Sequence, residues 1–509
     1  MADTVREIER KYAATDRTRL PDLTAVHGVA AVVEKEPEIL DATYYDTVAL
    51  RLTAHGITLR RRTGGHDPGW HLKLPAGPHA RDEIQAPPAV ELPGDLAGLV
   101  RSRVRGAALV PVMRLRTRRV RRQLVGADGA VLAEIAVDAV RAERPGGAGG
   151  AVTWAEIEAE VTAGGGPGLL DALDACLVAG GIRRSDAPSK LARALAATAP
   201  VARRVERPPE RKRSTATAGD VVLTYAREQA RVIVALDPAV RRELPDAVHR
   251  MRVATRRLRS TLRSCRAVLD RTVTDPVAVE LKWLAGELGA DRDREVLAAR
   301  IQDGLAAPPV PPCAEPARAR VRAWSRARRS GSRRQVAVAL DGRRYLALLD
   351  TLDGLLADPP LCKAAGRAPC KVLTKAVRKD FARLARRMAD VPAAPAGPQR
   401  DLALHEARKA AKRARYAAEA ARPALGGRAE RFARRIADLQ QLLGDHHDSV
   451  VAREALRELA GAAQEAGESG FAFGVLHGRE EAVAADRERE LPGRWAKAAR
   501  SARRLGLTG

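Results

Sequence analysis

Acidic and basic side chains recur at every second position in several short segments of the first 190 residues. Glu7, Glu9 and Lys11 stand in VREIERKY, Arg60 and Arg62 in ITLRRRT, Lys73 in WHLKL, and Arg81 with Glu83 in RDEI. Further on come Arg114, Arg116 and Arg118 in RLRTRR, Glu134 and Asp138 in LAEIAVD, and Glu156, Glu158 and Glu160 in WAEIEAE. Guanidinium and ammonium groups suit phosphate oxygens, Arg through a bidentate fork and Lys as a point charge. Carboxylates suit hard divalent cations such as Mg²⁺ or Mn²⁺. In one cavity the two sets make a site for a metal-complexed polyphosphate chain. The matching chemistry is in-line transfer of a phosphoryl group to water, with no nucleophilic side chain.

Such residues need strands to hold them. Side chains two apart share a face of a strand, so each segment presents a ladder of charge. Gly and Pro separate the segments, which reads as antiparallel strands. The opposite faces carry Ile8, Tyr12, Ile57, Leu59, Leu72, Leu74, Leu115, Ile135, Ile157 and Val161. If those pack against helices, the charged faces must enclose something wet, because burying so many ions dry costs several kcal/mol each. A β-barrel with a hydrated, charged interior meets both demands. In RTRR the strand parity leaves Arg119 and Arg121 as the alternative inward pair, and Glu134 has a purely structural reading open to it.

The C-terminal part carries a different pattern, Ala, Leu, Arg and Glu with apolar residues at helical spacing and breaks at PPVPPCAEP and PAAPAGP. HRMRVATRRLR places His249, Arg252, Arg256 and Arg259, and HEARKAAKRAR places His405, Arg408, Lys412 and Arg415, both as H-x2-R-x3-[RK]-x2-R. Downstream, ELGADRD supplies Gly289 and Asp293, and LLGDHHD supplies Gly444 and Asp448. The copies lie 156 and 155 residues apart, which marks a duplication. At 100° per residue the four motif positions span an arc of about 80° on one helix face. Like charges so placed repel, and two such helices would build a groove for a polyanion. For Asp293 and Asp448 a helix cap or a salt bridge orienting an Arg is the simplest role. A His and an Asp of each repeat would make a metal site only if the helices bring them together.

The 509 residues carry 89 Lys+Arg against 63 Asp+Glu, a net charge of +26. Residues 1–200 hold 27 and 25 of these, so the excess belongs to the C-terminal three fifths and the chain reads as two domains with different partners. The Pro- and Arg-rich stretch from Ala199 to Gly219 reads as a linker. The five cysteines are scattered and never spaced as CxxC, which excludes a disulfide framework and a zinc-thiolate site. The charged N-terminus and the lack of an 18-residue apolar run point to a cytoplasmic chain with no membrane partner. No GxxxxGK[ST] or GxGxxG occurs, and an aromatic content of 3% offers few platforms for stacking bases, against a nucleic-acid partner.

EIERK at residues 7–11 resembles the ExExK signature of the CYTH superfamily of triphosphate tunnel metalloenzymes, which includes inorganic triphosphatases, thiamine triphosphatases and class IV adenylate cyclases. The segments with Arg60 and Arg62, Lys73, Arg81, RTRR, AEIAVD, WAEIEAE and a late Ser189–Lys190 pair follow in family order. The resemblance implies that Lys11, Arg60, Arg62, Lys73, Arg81, Arg116, Arg118 and Lys190 grip phosphates. It implies that Glu7, Glu9, Asp138, Glu156, Glu158 and Glu160 hold Mg²⁺ or Mn²⁺, with Glu7, Glu9, Lys11, Glu158 and Glu160 at the centre of catalysis. The paired histidine motifs resemble the CHAD domain, a conserved-histidine helical domain associated with inorganic polyphosphate. That likeness implies polyphosphate binding by His249, Arg252, Arg256, Arg259, His405, Arg408, Lys412 and Arg415, with Lys409 and Arg257 alongside. The copies differ where Lys412 stands for Arg256, and where His446 and His447 stand for Asp291 and Arg292.

The expectation is therefore an α+β chain of two domains. An antiparallel β-barrel with flanking helices occupies residues 1–198, a linker 199–216, and a duplicated all-α bundle 217–505. Its expected activity is metal-dependent hydrolysis of inorganic triphosphate or a related triphosphate, in the cytoplasm and in association with polyphosphate granules. Non-catalytic polyphosphate binding, and adenylate cyclase or thiamine triphosphatase activity, are the alternatives.

Overall fold

The computed structural model describes residues 3–77, 80–147, 150–162, 164–166, 168–198 and 216–507, with side chains for all of these except 3, 290–295 and 327–333. The chain divides into two compact units, Met1–Glu210 and Arg211–Gly509. Residues 199–215 of the expected linker lie outside the described residues.

The first unit contains strands β1 (Asp3–Ala14), β2 (Ala31–Glu34), β3 (Glu38–Asp46), β4 (Thr58–Thr63), β5 (Gly69–Pro75), β6 (Ala80–Ala86), β7 (Val110–Val125), β8 (Val131–Glu143) and β9 (Ala151–Val161). Helices α1 (Gly94–Val104), α2 (Leu169–Ala179) and α3 (Lys190–Ala197) complete it. The hydrogen-bonded order is β2-β7-β3-β4-β5-β6-β1-β9-β8, and β7 also pairs with β8. Eight antiparallel strands therefore close into a barrel, and β2 lies outside it against the far end of β7. Closure removes the sheet edges, which would otherwise expose unpaired backbone groups.

Apolar residues on the outer face seat two of the helices. Leu59, Leu72 and Ile84 pack under Leu96, Leu99 and Val100 of α1. Tyr12, Ile135 and Ile157 pack under Leu170, Leu173 and Leu177 of α2. Full burial of each such Leu or Ile contributes roughly 1.5–3 kcal/mol. The third helix does something else. Leu191, Ala194 and Leu195 of α3 meet Ala42, Met113, Leu115, Val140 and Ala142, which point into the barrel. One end of the bore is thus filled with apolar side chains. Leu115, expected on the outer face, belongs to this plug.

The second unit is helical: α4 (Ala218–Arg241), α5 (Ala247–Ser264), α6 (Arg271–Glu287), α7 (Ala290–Ala306), α8 (Ala314–Asp341), α9 (Arg343–Ala357), α10 (Pro369–Ala393), α11 (Pro398–Glu465) and α12 (Phe471–Arg504). A capping box starts it, with Thr217 Oγ1 accepting from the Asp220 amide and Asp220 Oδ2 from the Thr217 amide. The two Pro-rich breaks fall between α7 and α8 and between α10 and α11. Helix α11 is a hairpin folded at Gly426, whose φ of 61° suits a residue without Cβ. Its arms bring His405 to His447, Arg408 to Gly444 and Arg415 to Gln440.

Candidate active site and basic groove

The charge ladders of the first unit converge. Glu7, Glu9 and Lys11 of β1, Arg60 and Arg62 of β4, Lys73 of β5, Arg81 of β6, Glu134 of β8, Glu158 and Glu160 of β9 and Lys190 of α3 all line one cavity of about 210 Å³ in the barrel. Its wall holds seven Lys or Arg and seven Asp or Glu side chains.

Strand register gathers four cations on one side, with Glu83 among them, and three carboxylates on another, beside Lys11. Arg60, Arg62, Lys73 and Arg81 come from the adjacent strands β4, β5 and β6. On the other side Glu9 lies across from Glu160, and Glu160 across from Glu134, so three carboxylates form a row over β1, β9 and β8. Like charges directly opposed across strands destabilise a sheet. Burial, with Glu9, Glu158 and Glu83 beside it, pushes the Glu160 carboxyl up to about 7. Burial also pushes Glu7 up to about 8 against the pull of Lys73, whose Nζ lies 2.8 and 2.6 Å from its oxygens, and the protonated Glu7 shares its hydrogen with Glu83.

A second cluster lies deeper. Lys190 Nζ, at the first turn of α3, sits 3.0 Å from Asp138, 2.9 Å from Glu156 and 2.6 Å from Glu158. Arg119 adds a fork on Asp138 at 2.8 and 2.7 Å and a contact of 2.7 Å to Glu158. Lys11 also bonds Glu158. Burial would raise the Glu158 carboxyl, but Lys11, Lys190 and Arg119 hold it well below the usual range. Oxygens of Asp138, Glu156 and Glu158 lie within 4.8 Å of one another, a donor set of hard carboxylates that fits a divalent cation. Asp138 is fully buried and, with Glu156, lies beneath Lys190 and outside the cavity lining.

The expected positions of Arg116 and Arg118 need correcting. Both are exposed on the outer face of β7, where Arg116 and Arg114 pair with Asp41. Because Met113 and Leu115 fill the plugged end, the inward parity of β7 is odd, and it brings Arg119 into the cavity. Arg121 shares that parity and pairs with Glu38 and, at 3.3 Å, Glu134. Further lining groups are Tyr44, whose hydroxyl accepts from Arg60 at 3.3 Å, and Asp67, which pairs with Arg62. His71 contacts Glu83 at 2.9 Å. Parity with Lys73 was the available signal for His71; Asp67 sits in a turn, where parity carries no information.

In the helical unit the duplicated motif recurs as duplicated packing. A Cβ on Gly289 would meet Arg252 Nη2 at 2.9 Å, and one on Gly444 would meet Arg408 Nη2 at 3.5 Å, so the motif glycine admits the motif arginine in both copies. Asp448 Oδ1 lies 3.7 Å from Arg408. The side chains of Asp291, Arg292 and Asp293 lie outside the described residues.

Helix α5 and the first arm of α11 bring their basic stripes together. Burial, then Arg256, Arg408 and Arg252, pushes Lys412 down to about 7. Arg259 lies close to Arg256 and Arg263. Arg415 is tied to Glu419 at 2.7 Å and Arg257 to the same carboxylate at 3.0 Å. His249 is exposed at the start of α5, and His405 Nδ1 lies 3.2 Å from His447 Nδ1. Lys409 pairs with Glu406. His446 turns away into the core, 3.5 Å from Asp401 and 3.3 Å from Glu488. Those acids are also held by Arg453 and Arg400, so the trio reads as a structural ion network.

Among the described residues no helix is long and apolar enough to cross a membrane. The family model of the CYTH domain matches residues 5–195 and that of the CHAD domain residues 224–457. The uncharacterized protein MT2285 of Mycobacterium tuberculosis (strain CDC 1551 / Oshkosh) is 38% identical over 503 residues, 95% of this chain and 94% of its own length. Among solved structures, PptA from Streptomyces chartreusis is 23% identical with a TM-score of 0.48, covering 55% of this chain and 100% of that one. The CHAD domain from the plant Ricinus communis is 27% identical with a TM-score of 0.43, covering 56% and 92%.

Proposed function

The chain belongs to the proteins that join a CYTH domain to a CHAD domain, and on that premise we propose that it is a metal-dependent triphosphatase whose helical domain binds inorganic polyphosphate. The tunnel domain spans residues 1–198 and the helical domain 217–505, and the protein works in the cytoplasm. The observation that carries this reading is one cavity lined by both seven Lys or Arg and seven Asp or Glu side chains, with a row of three carboxylates across β1, β9 and β8. A triphosphate brings several negative charges next to the carboxylates of Glu9, Glu158 and Glu134. Binding then calls for divalent cations on the acidic side, and a purely anion-holding pocket would have no use for the carboxylate row.

Lys11, Arg60, Arg62, Lys73, Arg81, Arg119 and Lys190 grip the phosphate oxygens and neutralise charge on the transferred group. Glu9, Glu134, Glu158 and Glu160 would hold Mg²⁺ or Mn²⁺, which supplies Lewis-acid polarisation of the phosphate chain. Asp138 and Glu156 join them if Lys190 turns toward substrate. Glu7, protonated near neutral pH, positions Lys73 and serves poorly as a base. Carboxylates of the acidic wall orient the attacking water in line with the leaving phosphate.

Phosphate release from tripolyphosphate, ATP and thiamine triphosphate, measured side by side, tests the proposal. Turnover is expected to require added Mg²⁺ or Mn²⁺ and to be fastest with one of the three. Glu158→Gln is expected to abolish turnover in a folded protein, as read by circular dichroism. Activity that survives a chelator, or normal turnover in the variant, refutes it.

A further inference from the structure

The helical unit has a second concentration of positive charge, away from the duplicated motif. Arg428, Arg431, Arg434 and Arg435 on the second arm of α11 face Lys497, Arg500 and Arg504 on α12 across a cleft of about 920 Å³. Both runs follow helical spacing along one edge of an apolar seam. Phe432, Ala433, Ile436 and Leu439 of α11 and Ala498 and Ala502 of α12 are buried in the same core, and all seven cations stay exposed. Packing the seam therefore fixes the two basic rows opposite each other.

Solvated helix faces are often basic, but they are ordinarily neutralised along the helix. One turn earlier on α12 this holds: Arg487 and Arg494 pair with Glu490, and Arg489 pairs with Asp486. From Lys497 to Arg504 no acid follows. In the cleft, Asp438 is the one carboxylate, and it pairs with Arg435 at 3.4 Å. The other six cations have no ion-pair partner among the described residues. Concave walls focus such a field and concentrate counter-ions. A neighbouring hollow lined by Arg257, Arg415 and Arg422, with Glu419 and Glu430 among them, meets the cleft at Arg434 and Ala437, so a charged surface in which arginines outnumber acids connects it to the motif helices.

We infer that this α11–α12 cleft is a second binding site for a linear polyanion, and that it holds a further stretch of the inorganic polyphosphate chain gripped by the motif helices. The inference rests on the polyphosphate reading of the helical domain. Lys497, Arg500 and Arg504 lie beyond residue 457, where the CHAD match ends. Polyphosphate fits better than nucleic acid because the cleft lining contains Arg, Lys, Ser, Ala, Leu and one Asp but no aromatic ring on which a base could stack.

The test compares three variants of the full chain for binding of long-chain inorganic polyphosphate across a salt series. The cleft variant is Arg431→Ser/Arg500→Ser/Arg504→Ser. A charge control, Arg322→Ser/Arg489→Ser/Arg494→Ser, removes three exposed arginines that have acidic partners. The motif variant is Arg408→Ser/Lys412→Ser. Each removed phosphate contact is expected to flatten the slope of log affinity against log salt by about 0.7, so the cleft variant should lose about 2 from the slope and at least about tenfold in affinity. The control should keep the wild-type slope. A cleft variant that binds like wild type, or a control that loses as much, overturns the inference. In the first case, loss of binding by the motif variant leaves the polyphosphate reading standing. A motif variant that binds normally while the cleft variant fails refutes the motif reading and keeps the cleft. Loss of single-stranded DNA binding in the cleft variant, with polyphosphate binding intact, overturns it in favour of nucleic acid.

Discussion

Replacing Lys412 by Met should make the helical domain more stable and less able to bind polyphosphate. Lys412 is half-buried among Arg252, Arg256 and Arg408, and its folded pKa falls from 10.5 to about 7. A base whose pKa is lowered by folding carries its full penalty below the folded value and loses it as pH climbs toward the unfolded value. The penalty is therefore complete below pH 7 and fades between pH 7 and 10.5. Its ceiling is about 5 kcal/mol, and partial contact with water reduces the expected effect to about 1–3 kcal/mol. At roughly 2 °C per kcal/mol for a domain of this size, the Lys412→Met midpoint should rise roughly 2–6 °C at pH 6, with the gap closing toward pH 10. Thermal unfolding at pH 6, 8 and 10 checks this. In parallel, wild-type affinity for polyphosphate should fall as pH rises through 7, because the ammonium is lost, and the variant should lack that step. A variant no more stable than wild type at pH 6, with a pH-independent gap, refutes the view that Lys412 is held against repulsion for a ligand.

Arg119→Leu should lower kcat/KM for the triphosphate substrate by about two orders of magnitude, as expected for an electrostatic contact in a water-poor site, whereas Arg116→Leu should stay within about twofold because its exposed pair with Asp41 is worth little. Steady-state phosphate release separates the two, and equal effects would contradict the assigned parity of β7. Gly289→Ala should weaken polyphosphate binding several-fold, since the new methyl collides with the Arg252 guanidinium, while Gly444→Ala, with about half an ångström more room, should change it by less than about twofold. Titration of both variants decides this, and a larger effect at Gly444 would refute the steric account.

Much of the first unit could be read from charge periodicity alone. Alternation exposes which residues share a face, and Glu7, Glu9, Lys11, Arg60, Arg62, Lys73 and Glu158 share the barrel interior as their spacing implied. The reading failed at Arg116 and Arg118 for a definite reason. Charge occupies both parities of RTRR, and the alternative pair Arg119 and Arg121 is the inward one: at the end closed by α3 the inward positions of β7 are Met113 and Leu115, so Arg116 and Arg118, of the opposite parity, lie exposed on the outer face. Nothing in a strand pattern announces a plug supplied by a helix some 75 residues later. The same distance hides the role of Lys190, which the sequence offers as one more phosphate ligand. Only the fold shows it seated on Asp138, Glu156 and Glu158.

That seating bears on how the site is kept ready. Three carboxylates this close would repel strongly if left bare, and a buried carboxylate with no partner costs several kcal/mol. Lys190 and Arg119 remove that cost and hold the acids in place. The same two cations point at the cavity into which a phosphate chain would fit. On the proposed function, substrate oxygens would compete with Asp138 and Glu158 for them, and a turn of Lys190 toward phosphate would uncover carboxylate oxygens for a divalent cation. Anion and metal binding would in this way be coupled through one ammonium. Lys190→Met should therefore leave the acids mutually repelling, so that Mg²⁺ binds without substrate, as read by calorimetry. In the wild-type chain Mg²⁺ binding should strengthen when tripolyphosphate is present, and Mg²⁺ affinity unchanged by both the substitution and tripolyphosphate would show that Lys190 does not link the two.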